Sequence, residues 1–339
     1  MSTQEIFLTG ATGGVGATVL DQLLAKGYKV NAAIRSAKKS QPFLEQKYPA
    51  NIANNTLKLT EIPDMTVPHV FDEPARTADA IIHVATPLAD SDFEHTMIQP
   101  TWAIDEGILI AAAKSPKVKR VIITGTIGST VNMSQLFQDG SISEKSWNST
   151  THEEALQNLG NAYSYSKTTA EKKAWAFMEA EKPKFDLVVL LAPLIIGKSI
   201  QHGFVPTKDA LGGMANIYKA IFDVPEPGFI FPPFMDIGDV AAIHLKSLDP
   251  KIPGNERYLF EADGQISGPL LAAKVREVFP QLQDRVPAPK DDTDGIPTPF
   301  VKRDTSKADT VFGPKAQWKD WWTSAKDTVE DIIHLEAKA

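Results

Sequence analysis

The chain has 339 residues, with 35 basic and 42 acidic side chains, a formal charge of −7 and no cysteine. That length suits one large domain or a large domain with a smaller companion, and its core needs no covalent staples. The composition excludes disulfides, thiolate metal sites and cysteine nucleophiles, and the acidic balance points away from nucleic acid and toward a soluble protein with a small-molecule partner.

The start, MSTQEIFLTG, has no basic stretch followed by an apolar core, so it is not read as a signal peptide. The longest apolar run, LVVLLAPLIIG (187–197), is too short to span a bilayer and contains a proline. The expectation is a cytoplasmic enzyme, in which the sequons at Asn54, Asn132 and Asn148 have no use.

The first half alternates short apolar runs with helical patterns. Strands are predicted at 5–10, 29–35, 56–62, 80–85, 120–126 and 185–192. Helices are predicted at GVGATVLDQLLAKG, MIQPTWAIDEGILIAAAKS and YSYSKTTAEKKAWAFMEAEK. Near-continuous apolar strands joined through helices specify a parallel sheet covered on both faces, an α/β fold of the Rossmann, doubly wound type. After residue 197 the chain becomes rich in Gly, Pro and Phe. A helix at 239–248, a strand at 256–262, a helix near 268–278, a long loop at 286–304 and a terminal amphipathic helix follow. Residues 1–197 are therefore read as the dinucleotide-binding domain and 198–339 as mainly a smaller substrate lobe, with part of 229–262 returning to complete the sheet.

The stretch LTGATGGVG (8–16) follows a strand and opens a helix, with Gly10, Gly13 and Gly16 three apart. The first glycine permits a tight turn, the second lets a pyrophosphate approach the backbone, and the third lets the helix pack on the strand. Free amides at the helix start then hold phosphate. With Thr12, Gly14 and Val15 between them, these residues are the expected phosphate cradle. An acid ending the second strand would hydrogen-bond the ribose of NAD. The chain has Arg35 there, with Lys38 and Lys39 behind it, which suits the 2′-phosphate of NADPH/NADP+. The GKS at 197–199 is not a triphosphate loop, because Ala192 stands where that motif needs glycine. The seven histidines form no metal pattern, and THEEAL carries only one of them.

In NAYSYSK (161–167), Tyr163 and Lys167 lie four apart and share a helix face, whereas Tyr165 points elsewhere. An ammonium beside a phenol stabilises the phenolate, so the tyrosine can protonate a carbonyl oxygen as hydride reaches the carbon. A third hydroxyl should orient that oxygen from the end of RVIITGTIGST. Thr126 is the first choice, with Thr124 and Ser129 as alternatives.

These residues, together with IRSAKK, PDM (63–65), HVATP (83–87), EKSWN (144–148), LLAPLIIG and DIGDVAAIHL, resemble the extended short-chain dehydrogenases/reductases. Within them the chain is similar to the dihydroflavonol-4-reductase branch and its fungal and yeast carbonyl (aldehyde/ketone) reductases. The resemblance implies a Thr126–Tyr163–Lys167 triad, with Tyr163 and Lys167 also at the nicotinamide ribose. It places Arg35 and Lys39 on the 2′-phosphate, and Asp64 and Met65 at the adenine. Val84, Ala85 and Thr86 fall at the ribose, and Pro193 to Ile196, including Ile195, at the nicotinamide. Leu88, Ile127, His202 and Phe204 are placed at the substrate, with Phe231, Phe234 and Met214 as pocket wall or lobe core. Two departures stand out. Gly125–Thr126 replaces the usual paired serines, and Ile104 and Gly107 replace a glycine and an asparagine.

The expected activity is reduction of a small ketone or aldehyde by NADPH, without nucleic acid, membrane or metal, in a monomer or homodimer. The rival readings are a nucleotide-sugar epimerase/dehydratase, a hydroxysteroid dehydrogenase, and a non-catalytic NADP-sensing regulator.

Overall fold

The computed structural model describes residues 4–205, 207, 210–290, 295–296 and 298–337; the side chain of Met214 lies outside what it describes. The strands are β1 (Glu5–Thr9), β2 (Lys29–Ile34), β3 (Leu57–Glu61), β4 (Ala80–His83), β5 (Arg120–Thr126), β6 (Ser141–Ile142), β7 (Asp186–Ala192), β8 (Leu194–Ile196), β9 (Phe234–Asp236), β10 (Glu256–Leu259) and β11 (Lys302–Arg303). The helices are α1 (Gly14–Ala25), α2 (Ala37–Lys47), α3 (Pro49–Ala53), α4 (Asp72–Thr77), α5 (Gln99–Lys114), α6 (Met133–Leu136), α7 (His152–Ala155), α8 (Leu159–Glu181), α9 (Met214–Ile221), α10 (Ile237–Lys246), α11 (Gly268–Val278), α12 (Ser306–Phe312) and α13 (Trp321–Glu336).

Seven strands form one sheet in the order β10-β7-β5-β4-β1-β2-β3, and every pairing is parallel. The order reverses between β1 and β4, and a crevice opens there beyond the carboxyl ends of the strands. Register brings those ends level: Thr9 pairs with His83, His83 with Ile123, and Thr126 with Ala192. β10 comes from the second half of the chain and closes the sheet beside β7. β8 and β9 form a separate parallel pair, as do β6 and β11, so the region expected to be loop between 286 and 304 contains a short strand.

Three apolar clusters hold this arrangement. One face of the sheet packs on α1 and α10 through Leu20, Leu23, Val240 and Ile243. The other packs on α5 and α8 through Ile104, Ile108 and Ala174. The lobe has its own core, in which Phe234 is fully buried beside Ile217, Leu271 and Val329, with Trp321 and Trp322 packed against it. Each buried aliphatic side chain contributes about 1.5–3 kcal/mol. Phe234 is thus lobe core and not pocket wall.

Two buried ion pairs tie distant segments together. Arg120 of β5 makes a two-pronged pair with Asp186 of β7 and also donates to the carbonyls of Ser247, Asp249 and Ile252. Arg257 of β10 pairs with Glu171 of α8, donates to the Ser146 carbonyl and lies 3.6 Å above the Trp147 ring. The EKSWN segment is thereby clamped over β10. Among the described residues no helix is long and apolar enough to cross a membrane, and no three His, Asp or Glu gather as metal ligands.

Candidate active site

A single cleft of about 1290 Å³ runs along the carboxyl edge of the sheet, from Arg35 and Asp64 past the glycine loop to Tyr163 and Phe229. At its floor the glycine loop turns tightly. Gly10 has φ of +73°, and a Cβ there would lie 2.8 Å from the Ala85 amide nitrogen. A Cβ on Gly16 would stand 2.0 Å from the Gly10 carbonyl oxygen, so α1 can meet β1 only with glycine at that position. The Gly13 amide donates to Gly10 (2.9 Å), and α1 starts at Gly14 without a side-chain cap. Uncapped amides at a helix start suit a pyrophosphate. Thr12, Gly14 and Val15 line the same surface. The cradle therefore fits a dinucleotide.

At the adenosine end, Arg35 lines the cleft with Asp64 and Met65. Asp64 accepts from the amide and hydroxyl of Thr66, and these bonds, with Arg35 nearby, hold its carboxyl below the usual range. Lys39 lies on the first turn of α2, exposed and outside the cleft wall. Glu61, at the end of β3, accepts from the Ala37 amide and so caps α2. That leaves side chains, rather than the start of α2, to meet a 2′-phosphate.

At the other end, Val84, Ala85 and Thr86 follow β4, and Pro193, Ile195 and Ile196 follow β7 along β8; all six line the cleft. Tyr163 lines it from the second turn of α8, together with Ser164. Tyr165 turns the other way, edge-on to His152 at 5.7 Å, and burial together with the Glu94 carboxylate pushes its phenol up. Lys167, one turn after Tyr163, is buried and reaches Thr86 Oγ1 at 3.4 Å.

The three candidate hydroxyls of β5 and its turn separate clearly. Burial drives the His244 pKa down to about 4, so the ring is neutral. Its Nδ1–H donates to the Val240 carbonyl, which leaves Nε2 to accept from Thr124 at 2.8 Å. Thr124 is thus committed to the floor. Ser129 is fully buried and outside the cleft wall. Thr126 lines the cleft and accepts from the Gly128 amide at 3.1 Å, so its own hydrogen can donate outward. A Cβ on Gly128 would meet Ser164 Oγ at 2.9 Å; glycine lets the Thr126 turn lie against the Tyr163 turn. The departure at Gly125 has a cause of the same kind, since a Cβ there would fall 2.9 Å from Val189 Cγ1 and 3.1 Å from Leu191 Cδ2.

Behind Lys167 lies a chain of bonds that sequence reasoning missed. Thr9 Oγ1 accepts from the Val84 and Ala85 amides, both at 3.2 Å, so its hydrogen donates to His83 Nδ1 at 2.7 Å. His83 must then carry its proton on Nε2, which donates to Asp105 at 3.0 Å. Burial alone would push Asp105 up; the Lys167 charge and the His83 bond outweigh it and hold this carboxyl below the usual range. A Cβ placed on Gly107, the position read above as a departure from asparagine, would lie 3.3 Å from the Phe71 ring. Proline offered a partial signal here: Pro100 cannot donate inside a helix, and the chain enters α5 through a π turn at Glu94–Ile98.

At the far end of the cleft from Arg35, Leu88, Ile127, Phe204 and Phe231 line the wall, with Met133, Leu136, Leu211 and Phe229 beside them. His202 does not. Its ring stacks on Phe43 of α2 at 4.1 Å, 8° from parallel, because the strap after β8 crosses the glycine loop before turning back. Ser199 and Gln201 of that strap lie 3.8 Å and 3.6 Å from a Cβ built on Gly14. α13 holds the start of the strap: Thr328 accepts from the Gly197 amide, and Asp331 from that of Ser199. Asn148 is a further residue without an expected role. It donates to the Gly128 and Val131 carbonyls and so fixes the turn that carries Thr126.

Comparison with known proteins agrees with this geometry. Ketoreductase azaE of Aspergillus niger is 29% identical over 97% of this chain and 98% of that protein. Aldehyde reductase 2 of Sporidiobolus salmonicolor is 27% identical over 98% and 95%. The crystal structure of yeast methylglyoxal/isovaleraldehyde reductase Gre2 complexed with NADPH superimposes with a TM-score of 0.87 at 24% identity, covering 99% of this chain and 100% of that one, and shares the fold. The sequence model of the NAD dependent epimerase/dehydratase family matches residues 6–259, and the chain belongs to that family.

Proposed function

We propose that this protein is an NADPH-dependent reductase of uncharged, largely apolar ketones or aldehydes. The observation that carries the reading is a cleft that joins the glycine cradle and Arg35 to Thr126 and Tyr163, with Lys167 reaching Thr86 of its wall. When bound, NADPH supplies a hydride, with its electron pair, to the carbonyl carbon. Thr126 donates to the carbonyl oxygen and orients it. Tyr163 gives its phenolic proton to that oxygen, so C=O becomes CH–OH, and the phenolate left behind is stabilised by Lys167 until solvent returns a proton. The ammonium, near Thr86, would also hold a hydroxyl of the cofactor's ribose.

The choice among substrates rests on charge. Among the described lining residues only Arg35 and Asp64 are charged, and both stand at the adenosine end. Beyond Lys167, which serves Tyr163 and the ribose, the described wall at the opposite end offers no cation to the anionic oxygens of a sugar nucleotide or a keto acid, and burying them unpaired costs several kcal/mol. The relatives named as ketoreductase and aldehyde reductase favour the same reading over epimerisation. The test is loss of NADPH absorbance with a panel of aryl ketones, aldehydes, keto acids and sugar nucleotides. Turnover confined to the uncharged carbonyls is expected. Conversion of a sugar nucleotide without net NADPH loss would replace the reading with an epimerase, and tight NADPH binding with no turnover would replace it with a sensor.

A further inference from the structure

Lys167 is only 3% exposed, and its hydrogen bond to Thr86 is long at 3.4 Å. A buried ammonium needs a counter-charge. The facing helix α5 carries Asp105, itself 4% exposed and bonded to His83 at the end of β4, three residues before the Thr86 that Lys167 reaches. We propose that Asp105 is the positioning residue of Lys167: a buried counter-ion, locked through His83 and Thr9 to the backbone end of β4, that holds the lysine in place on the Tyr163 face of α8. This inference rests on the reading of Tyr163 and Lys167 as the proton-transfer pair.

The lock has three joints. The Val84 and Ala85 amides saturate Thr9 Oγ1, Thr9 fixes the His83 tautomer, and His83 Nε2–H holds one Asp105 oxygen at 3.0 Å. Val84 and Ala85 are themselves cleft residues, so the same joint that shapes the ribose wall orients the carboxylate. Other charged groups around α5 and α8 are spoken for. Glu94 before α5 pairs with His152 of α7, Glu171 of α8 pairs with Arg257, Asp72 of α4 pairs with Lys114 at the far end of α5, and Glu106 faces solvent. Arg120 of β5 pairs with Asp186. Asp105 is the acid left over, and the Lys167 charge helps to hold its carboxyl below the usual range.

Removing a buried negative charge makes the protons of its neighbours easier to lose, those of Tyr163 and Lys167 among them. Ketone reduction needs both protonated. The replacement Asp105→Asn keeps the size of the side chain and an acceptor for His83. It is expected to move the alkaline limb of kcat/KM for reduction to lower pH by about 1 unit, with NADPH affinity close to that of the unchanged protein and a lower melting temperature, because Lys167 loses its buried counter-charge. Asp105→Ser, smaller and also uncharged, must move the limb in the same direction. A limb that stays put while turnover falls uniformly at all pH values, or that moves upward, overturns the proposal. Tyr163→Phe is measured alongside. If it retains full turnover, the reading of the pair has failed, whatever Asp105 does.

Discussion

The cofactor end of the cleft is made mainly of backbone and of residues close together in sequence, Gly10–Gly16 and Val84–Thr86, fixed by the turn at the carboxyl edge of β1 and β4. The substrate end is made of side chains drawn from far apart, Leu88, Ile127, Phe204, Phe229 and Phe231, of which Leu88 and Phe229 are 44% and 53% exposed. A backbone cradle tolerates almost no change of ligand. A wall of apolar side chains in part open to solvent can accept many shapes provided they carry no charge. One fold can therefore keep one cofactor and vary its substrate, and the seam between the two ends is where Tyr163 and Lys167 stand.

Changes at the seam are expected to have the largest effects. Tyr163→Phe removes the proposed proton donor without removing the ring, so kcat/KM for reduction should fall about 10²–10⁴-fold while NADPH titration by fluorescence is unchanged. Equal losses of cofactor binding would mean that the two ends are not separable.

Beneath the seam, His244 is buried neutral, with its pKa driven from 6.5 to about 4 by burial. The unfolded chain binds this proton first as pH falls, so stability is full above the unfolded value. It drains away between pH 6.5 and about 4, by about 3 kcal/mol in all. Melting curves across that window should be flatter for His244→Gln, and an unchanged slope would deny the histidine this role.

Arg35→Ala tests the cofactor end. NADPH affinity should fall about 10–100-fold, as for loss of a charge-assisted contact, while NADH affinity scarcely moves. A smaller effect is expected at the substrate end, where Phe137, Phe229 and Phe300 meet edge-to-face. Phe229→Ala should raise KM for a bulky aryl ketone about 3–10-fold with kcat unchanged, and leave a short aldehyde unaffected.

The same contrast explains what was legible in the sequence. The glycine loop, the six leading strands, Arg35 and the Tyr163–Lys167 spacing depend on local order, and local order is written in the chain. The Thr126 choice was open among three hydroxyls. His244, 120 residues away, takes Thr124, and burial withdraws Ser129, which leaves Thr126 facing the cleft. Asp105 belongs to no motif, and nothing near it in sequence announces His83 or Lys167. His202 was misplaced because a loop's path depends on what it docks against, here Phe43 of α2. Phe234 read equally as wall or core, and β9 pairing with β8 turned it inward.

The central claim is that this cleft delivers hydride and proton to an uncharged carbonyl in one place. It is tested most directly by single turnover with NADPH deuterated at nicotinamide C4 and an uncharged aryl ketone. The account predicts deuterium on the carbinol carbon with the unchanged protein, and bound but unconsumed NADPH with Tyr163→Phe. An alcohol without deuterium, or equal consumption by both proteins, would contradict it.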